Sequence, residues 1–475
     1  MSRPERDGLL AETSVHALAW LAAGNAFGLL LATLLLAPGL TSLLTPFHYG
    51  RLVPVHLNLQ LYGWCALPLV ALLFRSFVPR RGDVLLPRFA LWGWSAVLAS
   101  GAVSWLAGVT TGKPFLDWNG LARAAFLGEL LVLELALALA WLPSAERKQA
   151  GPRANLIRGA VLLALLSVPA ALAVATRPQV YPPINPATGG PTGGSLLGST
   201  LGVVVLFVAC PSLFGLAQRT GRRGPGGLAT ASLLAGHVLA FLLLDHGDHS
   251  HRELAQLLAV ASLLVWPPWL TLYLGRFVWP AATRRWLLAF GAWGAVLFGS
   301  AVLTFLPGVL DRLKFTDALV AHAHLAMAGM STAFLMLILA ALGEESGLAA
   351  ALDAPRPFQL WNAGLALMIV ALGTAGALEG ADPGLGAQGG TALTVAYTLR
   401  WLAGAAMLAA SWRWLRGALA TVQATESVPG ACHPERSEGS GWTGAERGQA
   451  APATGPANPS QILRFAQDDN GMEAA

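Results

Sequence analysis

The chain carries ten histidines: His16, His48, His56, His237, His246, His249, His251, His322, His324 and His433. His56, His237, His322 and His324 sit inside long apolar runs. An ionisable or ligating side chain is costly to bury in hydrocarbon, which makes each of them a functional-site candidate. His322 and His324 are two residues apart, which turns them about 200° from each other around a helix, toward opposite sides. One can therefore join His56 in bis-histidine ligation of a heme, while the other gives a single axial ligand to a second heme. His237 stands alone and reads either as a histidine bonded across helices or as a metal ligand. DHGDHSH (245–251) brings His246, His249 and His251 together with two carboxylates. That composition suits a metal and equally suits a solvated polar loop.

Helices that span a bilayer are the elements that must position these groups. Of the 475 residues, 55% are hydrophobic and 12% charged, against about 25% charged in soluble globular chains. Polar surface is too scarce for a water-soluble body of this size, which excludes a cytosolic enzyme. The apolar residues come in long blocks rather than in alternation, which argues against a β-barrel. The net charge of +5 is spread over short loops rather than gathered on one face, so no nucleic-acid partner is expected.

About twenty apolar residues cross the hydrocarbon core as a helix. Blocks of that kind lie near 14–37, 50–74, 88–108, 121–142, 155–176, 195–217, 229–246, 253–277, 284–306, 316–342, 358–378 and 391–416. The expected fold class is all-α, a polytopic membrane protein with twelve transmembrane helices. Residues 1–12 are polar and the first block is about as long as a full span, so no cleavable signal peptide is expected. Many of the 17 tryptophans lie at block ends, as an interfacial belt would require. Cys65, Cys210 and Cys432 form no CxxCH motif, so any heme would be held non-covalently, as a b-type or related group.

The loops orient the spans. Arg75, Arg80, Arg81 and Arg88 lie between the second and third blocks, and Arg147, Lys148, Arg153 and Arg158 between the fourth and fifth. Arg219, Arg222 and Arg223 follow the sixth, and Arg276, Arg284 and Arg285 follow the eighth. The positive-inside rule then puts these loops and both termini in the cytoplasm, as for a bacterial-type inner membrane. With that orientation His56 lies about 9 Å down the second span and His322 and His324 about 9–12 Å down the tenth. Two separate parts of the chain thus bring three imidazoles to one level in the outer half of the bilayer.

Two motifs carry a family resemblance. GRLVPVHLNLQLYGW (50–64) resembles the second-span motif of heme–copper oxidase catalytic subunits (subunit I), above all the high-affinity cytochrome c oxidase branch and its nitric oxide reductase relatives. FTDALVAHAHLAMAG (315–329) is similar to their tenth-span motif. The resemblance covers about residues 14–416. It implies two hemes, with His56 and His324 on the low-spin one and His322 on the high-spin one, and electron transfer from the first to the second for oxygen reduction in aerobic respiration. It also implies an electron-donor subunit or a soluble cytochrome as partner, besides the lipid bilayer.

The second metal of that family, copper or non-heme iron, is held by a histidine on span six and a His-His pair on span seven. Here LLGSTLG (196–202) has Ser199 at the first place, and LLLDHGDHSHRELAQ (242–256) has Asp245 and His246 nearest the second. Serine does not replace imidazole on copper. His237, His246 and His249 are the candidates left for a second metal. Arg51, Arg312 and Lys314 lie where heme propionates can pair with them, or where they simply snorkel to the interface. Arg400 is deeper and needs an anionic partner, a propionate or a neighbouring carboxylate. Glu129, Glu134 and Tyr273 are the groups a proton path would use, although the two glutamates lie about 140° apart on one helix.

The expected function is thus a divergent oxidase-like subunit I. Its alternatives are a nitric oxide reductase-like chain, a diheme electron carrier, a gas-binding heme sensor, or, in another class, a twelve-span proton-coupled transporter. Residues 1–420 read as the heme-binding membrane domain and 421–475 as a disordered tail. HPERSEGS (433–440) and QILRFAQDD (461–469) sit in that tail. One codon choice for HPERSEG has a reverse complement that reads LRFAQD, so the tail is expected to be a translated intergenic repeat without chemistry.

Overall fold

The computed structural model describes residues 4–113, 115–177, 193–220, 224–244, 249–306, 308–385 and 390–426. Twelve apolar helices dominate them: α1 (Glu5–Leu36), α2 (Tyr49–Phe77), α3 (Leu85–Leu106), α4 (Gly120–Trp141), α5 (Pro152–Ala175) and α6 (Gly193–Ser212), then α7 (Gly227–Leu243), α8 (Leu254–Leu274), α9 (Ala281–Thr304), α10 (Asp317–Ser346), α11 (Pro355–Ala381) and α12 (Thr391–Glu426). Ten have the length and apolarity needed to cross a membrane, and α6 and α7 are the shorter ones. The chain is an all-α polytopic membrane protein. Among the described residues, the strands are one two-residue antiparallel pair, Gln218 opposite Val278 and Arg219 opposite Phe277.

Boundaries differ from expectation where polar residues find partners. α1 begins at Glu5, not near residue 14, because its polar first turns are packed: Asp7, Thr13 and Ser14 are buried. Arg6 pairs with Glu345 at 3.0 Å and Asp7 with Arg80 at 3.3 Å. α12 runs to Glu426, past the predicted boundary at 420, and Thr421 Oγ1 donates back to Gly417 O at 2.9 Å. The rest of the predicted tail lies outside the described residues, as does most of the Pro/Gly-rich segment 181–194. α6 stops at Ser212, short of residue 217, after Pro211 and just before Gly215, whose φ of +64° turns the chain.

Several tryptophans are core residues. Trp64, Trp105, Trp266, Trp286, Trp361 and Trp414 are among the largest fully buried side chains. The main buried core draws on nearly every helix, and α10 and α2 are the most deeply buried spans. α11 and α12 pack along each other, and α12 packs along α1. Gly376 of α11 allows a close approach, since a Cβ there would lie 2.0 Å from Ala318 N of α10.

Candidate functional site

Both helices that carry the histidine motifs change geometry just after them. α2 is α-helical over Tyr49–Asn58, π-helical over Leu59–Cys65, then α-helical again from Leu67. α10 is α-helical over Asp317–His324, π-helical over Leu325–Ser331, then α-helical from Thr332. A π segment widens the turn and disturbs the i→i−4 ladder, and such segments concentrate at functional sites. Carbonyls of a disturbed ladder need other donors in a dry interior, and here side chains supply them. Trp94 Nε1 donates to Tyr62 O at 2.8 Å, and Trp361 Nε1 donates to Ala328 O at 3.1 Å. Thr332 Oγ1 donates to Met327 O at 2.8 Å while accepting from Trp64 Nε1 at 2.9 Å. That last chain ties the two π segments together.

His56 and His324 are oriented by backbone carbonyls. His56 Nδ1 lies 2.8 Å from Gly24 O on α1, and His324 Nδ1 lies 2.8 Å from Val320 O one turn earlier. A carbonyl only accepts, so each Nδ1 carries the proton and in the neutral ring Nε2 keeps its lone pair. Among the described residues neither Nε2 has a hydrogen-bond partner. The two rings are within electrostatic reach of each other, and Arg400 is within reach of both. A Cβ at Gly28 would lie 2.7 Å from His56 Cε1, so glycine there makes room for the ring. His322 faces the other way, toward α9: its Nδ1 is 3.3 Å from Ser300 Oγ, and its ring meets Phe305 edge-on at 5.3 Å. The opposite-face expectation for the H-x-H pair therefore holds.

Of the predicted cations, only Arg400 joins this group. Arg400 NH1 bonds Asp317 Oδ1 at 3.2 Å, with both side chains about nine-tenths buried. Asp317 N donates to Glu379 Oε2 at 2.8 Å, and Tyr397 O–H donates to Glu379 Oε1 at 3.1 Å. Arg51 is turned to the end of α3, where NH1 donates to Leu106 O at 3.2 Å. Arg312 is exposed. Lys314 lies 3.7 Å from Asp311, which also holds Arg252 at 2.5 Å and His251 at 2.9 Å. The Arg252 guanidinium beside Asp311 lowers that carboxyl below its ordinary value. No family model matches this chain, and no curated protein is similar to it.

The donor set at His56 and His324 fits heme ligation: two imidazoles, each with Nδ1 anchored on a carbonyl and Nε2 without a hydrogen-bond partner among the described residues, as metal-binding histidines are held. Among the described residues, the donors proposed for a second metal are engaged elsewhere. His237 Nδ1 is 3.0 Å from Leu233 O and its Nε2 is 3.2 Å from Ser262 O, so both nitrogens face carbonyls across α7 and α8. Ser199 is exposed and bonds Leu196 O. His249 lies 3.2 Å from Glu253, and His246 lies outside the described residues. Among the described residues no group of three or more His, Cys, Asp or Glu side chains can hold a metal ion. Glu129 packs its carboxyl against Gly93 of α3, and Tyr273 O–H donates to Val208 O at 3.0 Å.

The anionic partner expected for Arg400 is a carboxylate, Asp317, whose identity the sequence alone does not name. Asp317 stands inside the histidine motif itself, and an acidic residue at the head of a membrane span was the available signal.

Proposed function

We propose that this chain is a divergent heme–copper oxidase-like subunit I: twelve spans, both termini cytoplasmic, carrying electrons from a low-spin heme to a high-spin heme. The observation that supports it best is the paired orientation of His56 and His324, with His322 turned to the opposite side of the same helix. Heme, when bound, supplies the one-electron redox chemistry and, where one axial position stays open, the gas-binding site. His56 and His324 would hold the first heme and His322 the second. The Gly24 and Val320 carbonyls fix the tautomer of the first pair. Arg400 places a positive charge beside that pair, and Asp317 keeps this charge from standing alone. Trp64 and Thr332 hold the two helices in register beneath the ligands.

The His237 geometry favours a second reading, in which the chain carries electrons or binds a gas at two hemes without a second metal. Reduced-minus-oxidised and carbon-monoxide difference spectra on the purified protein, with metal analysis, separate the readings. Two hemes, one binding carbon monoxide, are expected. His56→Ala should lose only the low-spin spectrum and His322→Ala the carbon-monoxide response. One copper per chain would favour oxygen reduction, and two hemes with no further metal would favour the carrier. A chain with no heme would sink both and promote the proton-coupled transporter.

A further inference from the structure

At the end of the bundle that carries the N-terminus and the basic loops, a cavity of about 260 Å³ opens between α1, α2, α5 and the exit from α6. Three guanidinium groups line it: Arg6, Arg75 and Arg158. Glu345 is bracketed by two of them, at 3.0 Å from Arg6 and 2.8 Å from Arg75. Glu146 accepts the backbone N–H of Arg80 at 3.0 Å. Arg158 has neither a hydrogen bond nor an ion pair among the described residues, and Arg6 Nε is buried without a partner. Three cations therefore face two carboxylates, and one cation has no anion of its own.

Apart from Ser76, the rest of the wall is apolar, with Phe77, Val161 and Phe214. α5, which carries Arg158, is peripheral: Leu162 is its one buried residue, while Leu156, Leu163 and Leu166 are more than half exposed. The cavity thus lies beside a surface that faces lipid. Sites that enclose a whole small molecule measure about 300–1,000 Å³, so this one suits a head group whose chains remain outside.

We propose that this cavity binds the phosphate of an anionic phospholipid, with Arg158 as its principal contact. A basic pocket between spans at the cytoplasmic side is the kind of place that takes such head groups. Guanidinium groups recognise phosphate by paired N–H donors, and the unpaired Arg158 supplies them without breaking an existing bridge. The exposed leucines of α5 leave room for the acyl chains, which a free phosphate would not need. This inference is independent of the heme assignment.

Native mass spectrometry of the full chain in detergent, titrated with phosphatidylglycerol, phosphatidylethanolamine or inorganic phosphate, tests it. Phosphatidylglycerol should be retained at least fivefold more than phosphatidylethanolamine. Arg158→Gln should abolish that preference, and Arg158→Lys should keep part of it. Val161→Trp, which fills the cavity and leaves every charge in place, should also abolish it. Equal retention of the two lipids, or an unchanged preference in both Arg158→Gln and Val161→Trp, would overturn the proposal. Displacement of phosphatidylglycerol by equimolar inorganic phosphate would show a free-anion site and overturn the lipid assignment. The heme spectra should be unchanged in all three variants, which separates this outcome from a failure of the functional reading.

Discussion

Removing either partner of the Arg400–Asp317 bridge should destabilise the protein, and by unequal amounts. Both side chains are about nine-tenths buried and 3.2 Å apart, and losing one partner of a buried pair costs about 3–5 kcal/mol. Arg400→Gln bears that cost in full, because it leaves the carboxylates of Asp317 and Glu379 side by side, with Tyr397 still donating to the second. Asp317→Asn is milder. The introduced amide keeps an oxygen that can accept from the guanidinium, and the loss should be closer to that of one charged hydrogen bond, about 1.5–3 kcal/mol. In the double variant the two introduced amides can bond each other, so its cost should fall at least about 1 kcal/mol below the sum of the singles. Detergent-to-SDS unfolding followed by tryptophan fluorescence measures all four corners of this cycle. If Asp317→Asn proved the more damaging single change, or the two effects simply added, the bridge would not be the unit described here.

The remaining expectations are smaller. Thr332→Val should cost about 1–3 kcal/mol in the same assay, because Trp64 Nε1 is left buried without an acceptor, while Thr332→Ser should recover most of it. His237→Ala should lower stability by a similar amount, about 1–3 kcal/mol, and leave the metal content of the purified protein unchanged; a lost metal would mark His237 as a ligand. Gly28→Val should displace the His56 ring and lower the low-spin absorbance while the protein still elutes as an intact bundle. Asp311 is an acid whose folded value lies below its unfolded one, so its contribution is present at neutral pH and is lost as pH falls through the folded value. Asp311→Asn should therefore flatten the acid limb of the melting-temperature profile, and an unchanged limb would remove Asp311 as its source.

Much of the architecture was legible because bilayer thickness imposes a length on every apolar run, and block positions follow composition directly. The opposed faces of His322 and His324 were legible for a similar reason, since two residues fix an angle whatever surrounds them. The π segments were not. One extra residue in a turn changes neither composition nor apolar content, and two of the donors that make it tolerable, Trp94 and Trp361, come from other helices. The partner of Arg400 lay 83 residues away, and His237 bonds backbone carbonyls, which no side-chain pattern announces. The buried tryptophans looked interfacial because the ends of neighbouring blocks are where a large ring can also reach inward.

The two widened turns also make the helices sensitive to counting. Each residue advances an α-helix by about 100°, and a π segment holds one residue more than the ladder below requires. Closing 325–331 into an ordinary α-helix with its residue count unchanged would add that one residue's rotation to α10. His322 and His324 would then swing by roughly 100° relative to the anchored lower half, and Ala323 and Leu325 would take their places. Losing the extra residue together with the widened turn would leave both ligands aimed as they are, so any rearranged or shortened relative of this chain is best judged first by whether the length and the geometry of these two short stretches change together.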